Sequence, residues 1–154
     1  MNICWFYQYG EPLQLAKYGT GEKYEFHHDT DYKMARVATF LGYVHTPESG
    51  GWTIFPLVNG SNTQSTSLPP PLDPLHLENG VQAMQDYCNS DQFLRIKPER
   101  GDAILFFSVL PSLKIDEMAW HGSCPVVSGE KVVIQRWIKF KADPRYYSRQ
   151  NRQE

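Results

Sequence analysis

Three adjacent residues, His27, His28 and Asp29, are the side chains in this sequence best suited to metal chemistry. They end a stretch with aromatic residues at Tyr24 and Phe26, which is typical of a strand. Side chains alternate between the two faces of a strand, so His27 and Asp29 are expected on one face and His28 on the other. An imidazole nitrogen and a carboxylate oxygen on one face predict two ligands for a single metal ion.

A metal site needs a further protein ligand, because two ligands hold an ion only weakly. The remaining histidines are His45, at the end of a predicted strand, His76, in a loop, and His121, which follows a tryptophan. Two histidines and one carboxylate on a rigid β scaffold leave other metal positions open, which is the arrangement of non-haem Fe(II) oxygenases. The residue types alone leave open which histidine completes the set.

The overall composition fits one globular domain and excludes several function classes. A chain of 154 residues can bury a substantial core, and a formal net charge of −2 offers no basic surface for nucleic acid or an anionic membrane. No apolar run approaches the roughly 20 residues of a membrane span, and the first residues lack the pattern of a signal peptide. Three cysteines, Cys4, Cys88 and Cys124, cannot all pair within the chain.

The elements that position these side chains are predicted to be mostly strands. Strands are predicted at residues 13–18, 22–29, 36–45, 52–55, 93–97, 103–107 and 131–140, and one short helix at 78–88. The first two strands are expected to form a hairpin, the third to be central because both its faces are apolar, and the fourth to end at Pro56. Few helices and frequent turns favour a mainly β fold such as a jelly roll.

The domain is expected to occupy residues 13–141, between an irregular lead-in at 1–12 and a polar tail at 142–154. One face of the last predicted strand combines polar, aromatic and apolar residues, namely Lys131, Val133, Gln135, Trp137 and Lys139. Such a face can meet solvent or a pocket, and the sequence alone leaves this open.

Five ordered blocks, with a lysine ten positions after His121 (131 − 121 = 10), resemble the prolyl 4-hydroxylase family of 2-oxoglutarate- and Fe(II)-dependent dioxygenases. The blocks are YEFHHD at 24–29, RVATFLGY at 36–43, GGWTIFP at 50–56, KPERGDAILFF at 97–107 and HGSCPVVSGEK at 121–131. The resemblance covers about residues 13–141. It implies a double-stranded β-helix, that is, a jelly-roll core with few short helices, and it implies that the family's N-terminal supporting elements are missing from this chain.

The resemblance implies that His27, Asp29 and His121 bind Fe(II), with His28 at a variable position between two ligands. Lys131 resembles the family's lysine that binds the distal carboxylate of 2-oxoglutarate, and a buried ammonium needs such an anionic partner. The expected catalytic group therefore consists of His27, Asp29, His121 and Lys131.

Other residues match positions around the two substrates. The resemblance implies that Tyr18, Thr39 and Tyr43 line the 2-oxoglutarate pocket, and alternation places Thr39 and Tyr43 on the same strand face. The residues expected near the peptide groove are Tyr24, Arg36 and Trp137.

The implied function is hydroxylation of peptidyl proline to 4-hydroxyproline in proline-rich proteins, with release of succinate and CO2. The implied cofactor is Fe(II), with 2-oxoglutarate and O2 as cosubstrates and L-ascorbate as reductant. Polyproline II segments dock on aromatic grooves at little entropic cost, and 14% of this chain is aromatic. The family implies the endoplasmic reticulum; the lack of a signal or anchor in this chain makes the cytoplasm the alternative. The oligomeric state stays open.

Three alternative functions are compatible with parts of this pattern. The first is a 2-oxoglutarate oxygenase that acts on another protein or a small molecule. The second is an inactive peptide-binding relative, although such a module need not retain all three ligands and Lys131. The third is a zinc hydrolase, which has no need for Lys131 at this spacing.

The blocks are most similar to the plant and algal group of the family. Cysteines pair in that group, which implies a disulfide between Cys88 and Cys124. Where the family carries Gly-Gly-Glu-Thr, this chain has Trp52 in place of the glutamate, and Trp52 is expected to face outward or toward the groove. The segment between Asp29 and Arg36 is also shorter than usual, which trims a loop beside the metal site.

Overall fold

A computed structural model describes residues 10–30, 36–59, 84 and 87–139. Along these ranges the strands are β1 (Gln14–Tyr18), β2 (Tyr24–His27), β3 (Arg36–His45), β4 (Ser49–Gly50), β5 (Thr53–Asn59), β6 (Phe93–Ile96), β7 (Ala103–Phe107), β8 (His121–Ser123), β9 (Val126–Ser128) and β10 (Lys131–Lys139). A short 3-10 helix, Glu117–Ala119, precedes β8. Within the described ranges, no helix is long and apolar enough to cross a membrane.

Two four-stranded antiparallel sheets form a jelly roll, which confirms the predicted fold class. The first sheet has the order β1-β10-β3-β7 and the second the order β2-β8-β5-β6, while β4 pairs with β9. The predicted central position of β3 is confirmed, because β3 lies between β10 and β7. In this register Thr39 is opposite Trp137 on one side and Phe106 on the other.

Alternation along β3 separates an inner face from an outer face. Thr39, Leu41 and Tyr43 are buried, whereas Phe40 and Val44 are exposed. The inner face meets the second sheet, since the Tyr43 hydroxyl donates a hydrogen bond to a threonine of β5 at 2.8 Å. Each large apolar side chain buried in this way contributes about 1.5–3 kcal/mol to stability. The inner face of β3 therefore provides both core packing and groups that can face a ligand.

A disulfide joins Cys88 to Cys124, as the family resemblance implied, with a Cα–Cα distance of 5.9 Å. Cys124 follows β8 directly and packs in a buried cluster with Ile54 and Phe93. The bond therefore ties the helical residues 87–89 to the strand that begins at His121. It closes a loop with a sequence separation of 36 residues, which restricts the unfolded chain.

The prediction that the first two strands form a hairpin is wrong. β1 pairs with β10, whereas β2 pairs with β8, so that His27 lies opposite His121. The glycine-containing turn between β1 and β2 carries the chain from one sheet to the other, and the Gly21 N–H donates to the carbonyl of Val126 at 2.8 Å. Pairing between distant segments thus overrides the local turn, and it places two histidines side by side.

The end of β5 also differs from expectation. The strand continues through Pro56 to Asn59, and its ladder with β6 is irregular between Phe55 and Asn59. A proline has no N–H for a regular ladder, so an irregular stretch of this kind can accommodate it. Of the helix expected at residues 78–88, Met84 and residues 87–88 are helical, and the other positions lie outside the described residues.

Trp52, expected to face outward or toward the groove, is partly exposed. Its side chain packs against the buried cluster that contains Ile54 and Cys124. The guanidinium of Arg95 lies 5.0 Å from its ring centroid, which is a cation–π contact. The tryptophan therefore adds packing to this cluster.

Part of the expected lead-in contacts the first sheet. Gly10 forms an isolated bridge with Ile138, and the Glu11 N–H donates to the carbonyl of Trp137 at 2.8 Å. Residues 1–9 and the tail at 142–154 lie outside the described residues.

Candidate metal centre and adjoining cavity

Three side chains, those of His27, Asp29 and His121, lie together between the two sheets. His27 ends β2, Asp29 follows two residues later, and His121 begins β8. His27 Nε2 lies 3.4 Å from Asp29 Oδ1, and His121 Nε2 lies 3.7 Å from Asp29 Oδ2. One ligand atom from each residue lies within 4.8 Å of the others. The structure thus brings together the three residues expected as ligands, and they could hold one metal ion.

Of the other histidines that the structure describes, neither His28 nor His45 belongs to this group. The His28 ring packs edge-on against Trp120, with 4.8 Å between centroids, at the margin of the cavity. His45 is exposed and its Nδ1 lies 2.8 Å from the carbonyl oxygen of Glu130. His76, the other candidate for the third ligand, lies outside the described residues.

Backbone hydrogen bonds orient both imidazoles toward Asp29. His27 Nδ1 lies 2.8 Å from the carbonyl oxygen of Glu25, and His121 Nδ1 lies 2.9 Å from that of Ala119. A carbonyl only accepts, so each Nδ1–H donates and each Nε2 of the neutral ring carries a free lone pair. Burial lowers the pKa of His121 to about 4, despite the opposing effect of Asp29. At neutral pH, His121 therefore presents an unprotonated nitrogen, which a metal ion requires.

Asp29 is 5% exposed and ionised. Burial by itself raises the pKa of its carboxyl group, but His27, the nearby His121 and the hydroxyl of Thr39 outweigh burial and lower the pKa to about 2. The indole N–H of Trp137 adds a smaller effect in the same direction without forming a hydrogen bond of regular geometry. The carboxylate is therefore the anionic member of the group.

The position of Asp29 depends on β3 rather than on β2. Since β2 ends at His27, strand alternation does not extend to Asp29. Thr39 Oγ1 donates to Asp29 Oδ2 at 2.5 Å, and Arg36 Nη1 donates to the Asp29 carbonyl at 3.1 Å. Two residues of β3 thus hold the side chain and the backbone of Asp29.

Lys131 is a buried ammonium without a carboxylate partner among the described residues. It is 1% exposed, and its Nζ donates to Ser123 Oγ at 2.7 Å. The rings of Tyr18 and Tyr43 lie 5.6 and 5.8 Å from the Nζ atom. Burial lowers the pKa of Lys131 to about 7. Because a buried charge without an anionic partner is costly, this geometry favours an anionic ligand at Lys131.

One cavity of about 430 Å³ contains both the three-residue group and Lys131. Of the three residues expected in the 2-oxoglutarate pocket, Tyr18 and Thr39 line this cavity. Tyr43 does not line the cavity, because its hydroxyl is directed to Thr53 Oγ1, and Thr53 lines the wall instead. The sequence alone left open whether the odd-numbered face of β10 meets solvent or a pocket. Lys131, Val133, Gln135 and Trp137 of this face line the cavity.

The residues expected near the peptide groove also border this cavity. Tyr24 is 51% exposed and packs edge-on against His27, with 4.5 Å between ring centroids, so its ring is accessible to a substrate. Trp137 is 8% exposed, and Arg36 Cζ lies 3.7 Å from its ring centroid. Of the three, Tyr24 is the residue whose side chain has most surface free for a peptide.

Sequence reasoning missed Ser123, Thr53 and Glu11. Ser123 and Thr53 lie within the two family blocks that surround His121 and Phe55, but small hydroxyl residues in a strand carry no signal for ligand binding by themselves. Glu11 was assigned to the lead-in, and only the structure brings its carboxylate to Arg36. Alternation could have selected Ser123, which shares a strand face with His121 in β8.

The donor set fits Fe(II) and 2-oxoglutarate. Two neutral imidazole nitrogens and one carboxylate oxygen are the ligands of non-haem Fe(II) oxygenases, and they leave coordination positions free. In the same cavity the ammonium of Lys131 and the hydroxyl of Ser123 offer a site for a carboxylate. His27, Asp29 and His121 would hold the metal, and Lys131 would hold the far end of the dicarboxylate.

Comparison with known proteins supports the same assignment. The chain is 37% identical over 138 residues to "Probable prolyl 4-hydroxylase 9" of Arabidopsis thaliana, an alignment that covers 85% of this chain and 41% of that protein. It is 37% identical over 150 residues to "Probable prolyl 4-hydroxylase 7" of the same plant, covering 92% of this chain and 42% of the relative. The chain thus spans about two fifths of the length of these curated relatives.

The fold is similar to that of a viral collagen prolyl hydroxylase from Paramecium Bursaria Chlorella virus-1, solved as its 2-oxoglutarate complex. The TM-score is 0.57 at 27% sequence identity, and the match covers 86% of this chain and 60% of the viral one. The family model described as the 2OG-Fe(II) oxygenase superfamily matches residues 13–139, which include the three candidate ligands and Lys131. The chain belongs to the 2OG-Fe(II) oxygenase superfamily.

Proposed function

We propose that this chain is a 2-oxoglutarate- and Fe(II)-dependent dioxygenase that hydroxylates proline residues in a proline-rich peptide or protein. The observation that carries the proposal is the placement of two histidines, one aspartate and an unpaired buried lysine in one cavity. The relatives named prolyl 4-hydroxylases support proline as the target. Fe(II), when bound, supplies the oxidative chemistry that inserts one oxygen atom of O2 into a C–H bond while 2-oxoglutarate becomes succinate and CO2.

Three residues would hold the metal ion, and two aromatic rings beside them exclude water. His27, Asp29 and His121 bind the ion through the atoms that already face one another. Phe55 stacks on His121 at 5.5 Å between centroids, and Phe106 lies edge-on at 4.8 Å. These rings cover one side of the histidine and would limit access of solvent to a metal held there.

The far end of the cavity binds the distal carboxylate of 2-oxoglutarate. Lys131 contributes the charge, and Ser123 keeps the ammonium aimed along the cavity wall. Tyr18 and Thr53 line the same region and offer hydroxyl groups to the carboxylate. The binding energy of this end positions the rest of the cosubstrate near the metal.

Tyr24 provides the accessible aromatic surface for the peptide. A proline ring packs readily on an aromatic face, and an extended proline-rich segment loses little conformational entropy on binding. L-ascorbate serves as the reductant that returns oxidised iron to Fe(II). The Cys88–Cys124 disulfide supports an oxidising compartment such as the endoplasmic reticulum, since such bonds persist there.

Turnover with a peptide tests the proposed function directly. The chain, Fe(II), 2-oxoglutarate and ascorbate are incubated with a proline-rich peptide and, as control, with the same peptide carrying alanine at each proline. We expect succinate together with peptide that gains the mass of oxygen atoms at proline, and neither product above background with the control. Bound iron without turnover on any proline peptide would overturn the proline assignment.

The depressed pKa of Lys131 predicts that 2-oxoglutarate binding depends on pH. The bound carboxylate favours the ammonium, whereas the free protein holds a lysine with a pKa near 7. Below that pKa the ammonium is already present and affinity is constant with respect to this group. Above it, each pH unit is expected to weaken binding by up to about tenfold, since a proton must be taken up.

Calorimetric titration of 2-oxoglutarate into the Mn(II)-loaded protein, from about pH 6 to about pH 9, measures this dependence. Mn(II) replaces Fe(II) because it resists oxidation in air. In the Lys131→Arg variant the charge is permanent, so the dependence should disappear. An affinity of the unmodified protein that stays constant across the whole range would contradict the prediction.

A further inference from the structure

The carboxylate of Glu11 forms a two-pronged ion pair with Arg36. Arg36 Nε lies 2.7 Å from Glu11 Oε1, and Arg36 Nη2 lies 2.9 Å from Glu11 Oε2. Both side chains are 15% exposed, so the pair is largely shielded from water. Paired N–H bonds of this type fix the plane of a guanidinium as well as its position. The backbone N–H of Glu11 is itself bound to the carbonyl of Trp137, which anchors the pair on β10.

The guanidinium of Arg36 also contacts Asp29 and Trp137. Arg36 Nη1 donates to the carbonyl of Asp29 at 3.1 Å, and the flat face of the guanidinium lies over the Trp137 ring at 3.7 Å. Asp29 lies beyond the end of β2, so no ladder of β2 holds its backbone. Arg36 supplies a backbone anchor at this point, and Glu11 keeps Arg36 in the orientation that provides it.

We propose that Glu11 is a positioning residue for the metal ligand Asp29 and acts through Arg36. The proposal rests on the proposed metal-dependent function. It gives Arg36 a task in addition to the peptide contact that family resemblance implied. Three of the five N–H groups of Arg36 are directed to Glu11 and Asp29, and one face of the guanidinium lies on Trp137.

Glu11→Gln tests this assignment, because glutamine keeps the size of the side chain and removes its charge. We expect the Kd for Mn(II) to rise about tenfold, the lower end of the range for partners that orient metal ligands. The Kd for 2-oxoglutarate at saturating Mn(II) should change less than about twofold, since Lys131 is untouched. Mn(II) binding is measured by the electron paramagnetic resonance signal of the free ion, which requires no turnover.

The matched control is Lys139→Gln. Lys139 Nζ lies 2.9 Å from Glu11 Oε1, but its side chain is 42% exposed and its ion pair is with Glu11 rather than with Asp29. Removing its charge perturbs the same carboxylate without freeing the guanidinium, so the Kd for Mn(II) should change less than about twofold. An equal loss in both variants would show that Glu11 acts only through general charge or stability, and would overturn the proposal.

A double-mutant cycle separates positioning through Arg36 from an independent effect of Glu11. In an Arg36→Gln background, Glu11→Gln should add little to the loss of Mn(II) affinity, because the path from Glu11 to Asp29 is already broken. Additive losses would overturn the proposal. So would a raised KM for the peptide with an unchanged Kd for Mn(II), which is the result expected if Arg36 contacts the peptide instead.

Far-UV circular dichroism checks that each variant is folded. If Glu11→Gln does not fold, Arg36→Lys replaces it, because lysine keeps the charge but cannot reach Glu11 and Asp29 together. A raised Kd for Mn(II) in that variant supports the proposal, and an unchanged Kd overturns it. Mn(II) binding without proline hydroxylation in the unmodified chain would count against the proposed function alone, so the two failures are distinguishable.

Discussion

Replacing Lys131 by methionine is expected to weaken 2-oxoglutarate binding strongly and, at the same time, to stabilise the ligand-free protein. The ammonium is 1% exposed, its pKa is lowered to about 7 by burial, and its hydrogen-bond partner is the neutral Ser123. Loss of a buried charged partner typically costs about 2–5 kcal/mol of binding, so the Kd should rise by about 30-fold or more. Methionine fills a similar volume without a charge, which should raise the free energy of unfolding by about 1–4 kcal/mol.

Two measurements check this result. Calorimetric titration with Mn(II) present gives the Kd of 2-oxoglutarate, and urea unfolding of the ligand-free protein gives the free energy of unfolding. Lys17→Met is the matched control, because Lys17 is 57% exposed and pairs with Glu130 on the surface. It should alter neither quantity beyond about 0.5 kcal/mol. A Lys131→Met protein that binds 2-oxoglutarate normally, or that loses stability, would show that the lysine is structural.

His121→Ala is expected to remove metal binding and turnover. The comparison variant His28→Ala should remain active. His121 contributes one of three donor atoms, and no other described histidine lies within reach of Asp29 and His27. The Kd for Mn(II) should rise by more than about 100-fold, above the range seen for partners that only orient a ligand. His28 packs on Trp120 outside the ligand group, so its loss should change the Kd by less than about threefold.

Packing around His121 requires a second variant. Phe55 and Phe106 contact the imidazole, so alanine also leaves a cavity that lowers stability. His121→Gln fills more of that space and lacks the imidazole nitrogen, and it should lose metal affinity with a smaller loss of stability. Mn(II) titration, succinate release and thermal unfolding are measured on each protein. Similar losses of Mn(II) affinity for His28→Ala and His121→Ala would contradict the ligand assignment.

The two predictions concern the two ends of one cavity, the metal end and the cosubstrate end. His121 begins β8 and Ser123 ends it, so a three-residue strand supplies both a candidate metal ligand and the hydroxyl that orients Lys131. The Cys88–Cys124 disulfide is attached directly after this strand. The position of β8 therefore couples the metal end of the cavity to its cosubstrate end.

The sequence by itself predicted the residues of the candidate site and much of the fold. The family resemblance, carried by the ordered blocks that contain His27, Asp29, His121 and Lys131, implied which side chains would meet, and the structure places them in one cavity. The apolar composition of both faces of residues 36–45 predicted a central strand, and β3 is central. These predictions succeed because they depend on residue type and on order along the chain.

Only the tertiary structure decided how Asp29 is held. Strand alternation suggested that His27 and Asp29 would face the same way, but β2 ends at His27, and Thr39 and Arg36 of β3 orient Asp29 instead. Sequence separation hides this contact, because two segments that meet through sheet packing leave no periodic signal in either one. The same reason explains why Glu11, outside every recognised block, was assigned to an irregular lead-in.

The pairing of strands was likewise decided by the tertiary structure. The turn after β1 suggested a local hairpin, yet β1 joins β10 and β2 joins β8, more than 90 residues away in the chain (121 − 27 = 94). A turn directs the chain only locally, whereas the burial of apolar faces between two sheets selects partners over the whole domain. That non-local choice brings His27 beside His121 and turns the polar face of β10 into a pocket wall.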